Sequence, residues 1–282
     1  MLNNWRTQTS TPAYEEQISG PGVGKGNLVV VLTATIDVGD IRYTARRDPL
    51  TRLADYKHAL RQWLADESVS KIIFCENSGF DLTEIEKVCA GQSHGNKDVE
   101  ILSFLGQDFS PHLGKGFGEM RILSHVLEHS VLLKSATYIM KVTGRLYVKN
   151  VRHIIDGIKA HNVSAIDVGF QNIEVSADVF CNLRNYLTYT DCRLFCCTHR
   201  FLENCLLPLA GIADDSAGMN FERVLARAVH QGLAQGYIWA MLPVTPHILG
   251  VSASDNKRWN PSLPYWITHE IFNRLKTAVI AR

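Results

Sequence analysis

Leu28-Val29-Val30-Val31-Leu32-Thr33-Ala34-Thr35-Ile36 is an almost unbroken apolar and β-branched run. A strand with one wet face alternates apolar with polar residues, so this run predicts a strand buried on both faces. Strands of that kind belong to mostly parallel sheets with helices packed against each side. The residues that follow keep to this pattern. Arg52–Ala65 sets Leu53, Tyr56, Leu60, Trp63 and Leu64 at helical spacing. Lys71–Cys75 is a second buried strand, ending in Glu76-Asn77-Ser78-Gly79, and Asp81–Val88 begins another helix. Val99–Phe104 reads as a third strand. Gly114-Lys115-Gly116-Phe117-Gly118-Glu119 reads as a loop leading into a helix over Met120–Leu133. The next strand starts at Tyr138 and runs into Lys141-Val142-Thr143-Gly144-Arg145-Leu146-Tyr147-Val148-Lys149-Asn150, a strand with a polar turn in it.

Strand–helix alternation with short connections predicts an α/β fold with a mostly parallel sheet flanked by helices, in a single domain. Ligands of such sheets sit beyond the carboxyl ends of the strands. Those ends present Thr33–Asp37, Glu76–Ser78, the glycine loop and Thr143–Arg145.

The second half is less regular. Ile154–Ala160 reads as helix, Ser164–Phe170 and Arg193–Thr198 as strands, and Ala177–Tyr186 as ambiguous. Arg200–Leu206 reads as a short helix, Phe221–Gln235 as a strong one, and Ile271–Ala281 as a closing one. Leu242–Val251 reads as one extended segment containing Pro243 and Pro246. Residues 1–26 read as a flexible arm rich in Ser, Thr, Gly and Pro, without the apolar core of a secretory signal. Gly24-Lys25 within it imitates a phosphate loop, but Gly26 follows where Ser or Thr is needed, and the glycines precede the first strand.

Composition narrows the function. With 29 Lys plus Arg against 28 Asp plus Glu, no global field points to nucleic acid. Hydrophobic residues are 46% and charged ones 20% of the 282, enough for a sizeable core, and no apolar run reaches the ~20 residues of a membrane span. Cys192, Cys196, Cys197 and Cys205 cluster around His199, but without a paired C-x-x-C element they read as buried reduced thiols of a cytoplasmic protein.

The order of these features resembles the GT-A-fold glycosyltransferases, which use nucleotide-sugar donors. Leu32-Thr33-Ala34 is similar to the first-strand turn beside the nucleotide, and Glu76-Asn77-Ser78-Gly79 to the acid-plus-turn that ends the second strand. Lys115-Gly116-Phe117-Gly118-Glu119 looks like the loop that opens the helix before the metal-binding turn. Ile139–Asn150 has the frame of the strand carrying the Asp-x-Asp metal signature, yet holds no acid. The resemblance covers roughly residues 28–150 and becomes thin beyond them. It implies a donor half at 27–150 and an acceptor half at 151–282. The Lys-x-Thr-Gly-Arg pattern, with a Gly-Lys-Gly loop upstream, also resembles bacterial capsule and lipopolysaccharide transferases.

The resemblance implies a hexosyl transfer from a nucleotide-diphosphate donor to a glycan or lipid-linked glycan acceptor, in the cytoplasm or at the inner face of the membrane. Departing diphosphate gathers negative charge, which carboxylate-held Mg²⁺ or Mn²⁺ usually stabilises. A turn with Lys141 and Arg145 repels such a metal but can bind phosphate itself, Arg through its planar fork and Lys as a point charge. The expectation is therefore an enzyme without a metal cofactor. Its donor site comprises Thr33, Ala34, Glu76, Asn77, Lys115, Gly116, Glu119, Lys141, Thr143, Gly144 and Arg145. Glu222, near the start of a helix, matches the place of a catalytic base, with Asp191, Asp214 and Asp215 behind it. Arg46 and Arg47 are further candidates to reach a diphosphate, Arg52 and Asp55 read as a surface pair, and His247 as core or acceptor-side. Trp259, Tyr265 and Trp266 are candidates to stack on an acceptor sugar or touch a membrane surface. Two rivals stand beside this reading: a degenerate, non-catalytic nucleotide-binding member of the fold, and a nucleotidyltransferase, which needs acids the turn lacks.

Overall fold

Strand β1 (Leu28–Ala34) lies in the interior of the sheet and is buried on both faces, as its composition demands. The computed structural model describes residues 27–91, 97–160, 168–170, 189–237, 239–242, 244–260, 264, 267, 268 and 271. The expectations for the arm 1–26, for 164–167 and 177–186, for Tyr265 and Trp266, and for the closing helix past Ile271 lie outside the described residues.

β1 pairs in parallel with β2 (Lys71–Glu76) on one side and with β4 (Tyr138–Thr143) on the other; β3 (Asp98–Ser103) extends the β2 edge. β7 (Leu194–Thr198) runs antiparallel to β4, after which β6 (Val168–Phe170) and β8 (Trp239–Met241) resume the common direction. The sheet order is β3-β2-β1-β4-β7-β6-β8, a mostly parallel sheet flanked by helices in a single domain. A small second sheet joins β5 (Leu146–Val148), β9 (Ile248–Val251) and β10 (Arg258–Trp259). Of the segment Leu242–Val251 expected to be extended, only its end forms a strand, β9, and Pro246, which has no N–H for a ladder, lies before it.

Alternation along β1 divides the core in two. Val29 and Val31 pack with Met120, Leu123 and Val126 of α3 (Gly114–His129) and with Val224, Leu225 and Ala228 of α6 (Phe221–Ala234). Val30 and Leu32 face the other way. They meet α1 (Pro49–Ala65) through Leu53, Leu60 and Trp63, α2 (Thr83–Gly91) through Ile85 and Val88, and α5 (Val151–Ala160) through Ile154 and Ile158. A four-residue helix, α4 (Val131–Lys134), follows α3 directly. α1 starts where its sequence says it should: Asp48 caps it by accepting from Thr51 N at 2.7 Å, and Pro49 fills the first turn. None of the described helices is long and apolar enough to cross a membrane.

One contact fixes the second sheet against α1. The indole N–H of Trp63, fully buried, donates to Leu146 O at 2.8 Å, and its ring meets Tyr147 edge-on at 5.2 Å. Tyr147 Oη donates in turn to Asp66 Oδ2 at 2.7 Å, just past the end of α1. The turn Gly144–Arg145 is therefore held from behind by α1. Trp63→Phe leaves the Leu146 carbonyl without its partner and opens a void, so it should lower stability by about 2–4 kcal/mol in a denaturant titration. A change within ~0.5 kcal/mol would show that this contact does not anchor the second sheet.

Candidate functional site

The carboxyl ends of β1 and β4, the N-terminal turns of α3 and α6, and the β9–β10 connection surround one cavity of about 780 Å³. That volume suits a ligand of nucleotide size. Of the residues expected from sequence, Thr33, Ala34, Lys115, Gly116, Glu119, Thr143, Arg145 and Glu222 line it together. Glu76, Asn77, Lys141 and Gly144 do not, and each has a structural employment instead.

Lys141 is the largest correction. Its side chain is 0% exposed and its ammonium pairs with Glu119 Oε1. The ammonium also donates to Cys192 O at 2.6 Å and sits 5.3 Å from the centre of the Phe221 ring and 5.9 Å from that of Phe195. A lysine enclosed in this way cannot reach a phosphate in the cavity. Its work is to orient Glu119, whose Oε1 also accepts from Thr33 Oγ1 at 2.7 Å and Thr143 Oγ1 at 3.5 Å. The ends of β1 and β4 and the second turn of α3 are thereby tied to one carboxylate oxygen.

Glu76 and Asn77 were expected to face the nucleotide, and both are fully buried. The Glu76 carboxylate accepts from the amides of Ile36 (2.9 Å), Ser78 (2.9 Å) and Phe80 (3.3 Å), which builds the turns after β1 and β2. Asn77 accepts from Thr35 Oγ1 at 2.6 Å and donates to Gly118 O at 3.3 Å, joining β1 to α3. Gly144 approaches another backbone rather than a ligand: its N–H donates to Thr33 O at 2.8 Å, and a Cβ there would lie 2.9 Å from that oxygen.

The glycine run is not a loop. α3 begins at Gly114, so its glycines form the first turns of the helix. Small residues are needed because the 214–221 segment packs on them: a Cβ at Gly116 would meet Phe221 N at 2.9 Å. The free amides expected to bind phosphate are also partly taken. Lys115 N donates to Asp215 Oδ2 at 3.0 Å, so this carboxylate occupies the positive end of the helix. Burial raises the Asp215 pKa, opposed by the hydrogen bonds from the Lys115 and Gly116 amides.

Glu222 opens on the cavity from the first turn of α6, which Asn220 caps by accepting from Arg223 N. Its backbone is clamped by Thr190, whose hydroxyl donates to Glu222 O at 3.0 Å, and its Oε1 accepts from the Cys192 thiol at 3.1 Å. Burial raises its pKa, and the charges of Glu119 and Asp191 push in the same direction against the thiol hydrogen bond. A carboxylate raised towards neutrality is a stronger base at neutral pH. Asp191 is paired with Arg193, whose guanidinium lies 4.3 Å from the centre of the Trp259 ring. Lys257 also approaches that ring, at 5.1 Å. Trp259, a candidate for stacking on a sugar, therefore packs against two cations.

Sequence reasoning missed Arg52 and Tyr56 as site residues. The expected Arg52–Asp55 surface pair does not form: Arg52 is 3% exposed and lines the cavity, while Asp55 pairs with Arg46. Arg47 donates to the carbonyls of Ile41 and Gly39. The available signal was an arginine four residues before Tyr56, on the apolar face of α1.

Among the described residues, no group of three His, Cys, Asp or Glu side chains is placed to hold a metal ion. The turn offers Thr143, Gly144 and Arg145, and the acid beside it, Glu119, is neutralised by Lys141. The turn itself offers no carboxylate to a divalent cation.

No family model matches the chain, and no curated protein matches its sequence. Several solved structures are similar at a distance. 4-Diphosphocytidyl-2C-methyl-D-erythritol synthase from Anaerococcus prevotii, 9% identical with TM-score 0.45, is matched over 89% of this chain and 97% of that one. Mouse xyloside xylosyltransferase 1, 12% identical with TM-score 0.41, is matched over 77% and 84%. A mannosyltransferase from Pyrobaculum calidifontis, solved with GDP-Man and Mn²⁺, is 10% identical with TM-score 0.43 over 94% and 70%. Likenesses this distant decide nothing about the chemistry, which rests on the site's own residues.

The Lys141–Glu119 pair supplies a sharp test. Lys141→Met leaves a largely buried carboxylate without its cation and should cost about 3 kcal/mol or more. Adding Glu119→Gln should recover over half of that loss in urea titrations. A double variant no more stable than Lys141→Met would show that the two side chains are not coupled.

Proposed function

We propose that the protein is a glycosyltransferase that moves a hexosyl group from a nucleotide-diphosphate donor to a glycan acceptor without a divalent metal. The observation that carries this reading is a single cavity with a guanidinium, Arg145, at the turn after β4 and a half-buried carboxylate, Glu222, at the start of α6. Glu222 takes the proton of the acceptor hydroxyl while that oxygen bonds to the anomeric carbon. The carbon–oxygen bond to the diphosphate breaks, and the leaving group keeps the electron pair. Arg145 stabilises the charge that develops there, at a position fixed before reaction by β5 and α1. The acceptor as a surface polysaccharide or its lipid-linked precursor rests on the likeness of Lys141–Arg145 to capsule and lipopolysaccharide transferases.

The deciding experiment offers UDP-, GDP-, CMP- and TDP-sugars in excess EDTA and follows donor hydrolysis and transfer. Turnover of one donor at full rate in chelator is the expected result. Loss of turnover in EDTA with rescue by Mn²⁺ would overturn metal independence, and indifference to every donor would overturn the transferase reading.

Glu222→Gln should reduce transfer ~10²–10⁴-fold with donor affinity kept. It should also raise stability, for a reason of sign. Burial lifts the folded-state pKa of Glu222, so the folded chain holds this proton more tightly than the unfolded chain does. The ionised side chain therefore opposes folding at neutral pH, and this penalty disappears below the ordinary glutamate pKa of ~4.3. The melting temperature of Glu222→Gln should exceed that of wild type at pH 8, with the gap closing near pH 4. Unchanged transfer would reject Glu222 as the base.

A further inference from the structure

With Lys141 enclosed, the cation that partners Arg145 must come from elsewhere, and the lining of the same cavity holds one beside it. Arg52 is 3% exposed and all of its hydrogen bonds go to neutral acceptors. Nε and Nη2 donate to Thr35 O at 2.8 and 2.5 Å, Nη1 to Arg46 O at 3.0 Å, and Nη2 also to Tyr56 Oη at 3.2 Å. Arg145 uses Nε on Val251 O at 2.9 Å and Nη1 on the same Tyr56 Oη at 3.5 Å. Among the described residues, its Nη2 has no hydrogen-bond partner, and neither guanidinium has a carboxylate within ion-pair distance. Asp55, three residues from Arg52, is held by Arg46.

Two like charges thus converge on one phenol oxygen beside an open cavity. Burial lowers the pKa of Arg52, and the charge of Arg145 lowers it further. A buried cation without a counter-charge is costly, and a second cation beside it adds to the cost. A structural role for Arg52, tying α1 to the loop before it, accounts for its own donors. It does not account for the open Nη2 of Arg145 or for the juxtaposition of the two charges. A multiply charged anion resolves both, and the guanidinium fork matches adjacent phosphoryl oxygens.

We infer that Arg52, Tyr56 and Arg145 form a clamp for the diphosphate group of the nucleotide donor, with Arg52 taking the part that the sequence assigned to Lys141. The identification of the nucleotide rests on the transferase reading above; the clamp itself is tested without any sugar. Inorganic pyrophosphate, orthophosphate and a set of nucleoside diphosphates are titrated calorimetrically into the full chain in EDTA at low salt. Pyrophosphate should bind at least ~10-fold more tightly than orthophosphate, and more weakly as NaCl is raised. Arg145→Gln, which changes a side chain at the cavity wall, should weaken pyrophosphate binding ~10-fold or more. Arg52→Lys, which keeps the charge and loses the bonds to Thr35 O, Arg46 O and Tyr56 Oη that hold it beside Arg145, should weaken it as well, and circular dichroism checks that each variant is folded.

No pyrophosphate binding by wild type in EDTA, or equal binding by Arg145→Gln, overturns the clamp. A nucleoside diphosphate that binds more tightly than pyrophosphate supports the nucleotide as the source; none doing so overturns that assignment. The two readings fail separately. Clamp binding without turnover of any nucleotide sugar defeats the transferase and leaves the clamp. Turnover with pyrophosphate binding indifferent to Arg145→Gln defeats the clamp and leaves the transferase.

Discussion

Lys141 lies in an interior strand and is completely buried beneath the helices that cover one face of the sheet. An ammonium in that position must be paired, since an isolated charge in an apolar interior costs several kcal/mol. Glu119 supplies the pair from the second turn of α3, and the rings of Phe195 and Phe221 stand close to the nitrogen. The carbonyl of Cys192 and the hydroxyls of Thr33 and Thr143 provide the remaining hydrogen bonds. These groups come from β1, β4, α3 and the segment before β7, so one ion pair sets how four parts of the chain meet. The walls of the cavity follow from that junction.

The same pairing sorts the charges of the site. Glu119 with Lys141, and Asp191 with Arg193, neutralise each other within the protein. Asp215 is taken up by the start of α3. Arg52 and Arg145 remain without a carboxylate among the described residues, and the Glu222 carboxylate meets a thiol. Charge that a fold leaves uncompensated around a cavity is charge available to a ligand. In the proposed transferase these cations meet the leaving diphosphate and Glu222 takes the proton of the acceptor. The Thr190–Cys192 segment matters here, because it holds both the backbone and the carboxylate of Glu222.

Much of the fold was legible because burial leaves a strong pattern. The runs forming β1, β2 and β4 are apolar on both faces, and α1 shows its capping Asp48-Pro49 and its stripe through Trp63. The glycines before Met120 misled for a physical reason. Each costs a helix up to ~1 kcal/mol, so three in a row at every second position read as a loop. They are helical because α3 meets the 214–221 segment at near-backbone distance, a constraint that arises between residues a hundred positions apart. The antiparallel direction of β7 and the separation of β8 from β9 are likewise settled by pairing partners that local composition does not name.

By itself, the sequence determined that four strand ends would share one edge and that the turn after β4 would carry a cation in place of acids. Those are matters of residue type and order, which the chain states directly. Only the tertiary structure decided which charges face the cavity. Lys141 and Arg145 are four residues apart, yet the first is enclosed beneath α3 and α6 on one face of the sheet, while the turn delivers the second to the open edge. Arg52 read as a surface residue and is buried, because the face of α1 that carries it is the face that covers the end of β1. Charge is written in the sequence; compensation depends on distance, and distance belongs to the fold.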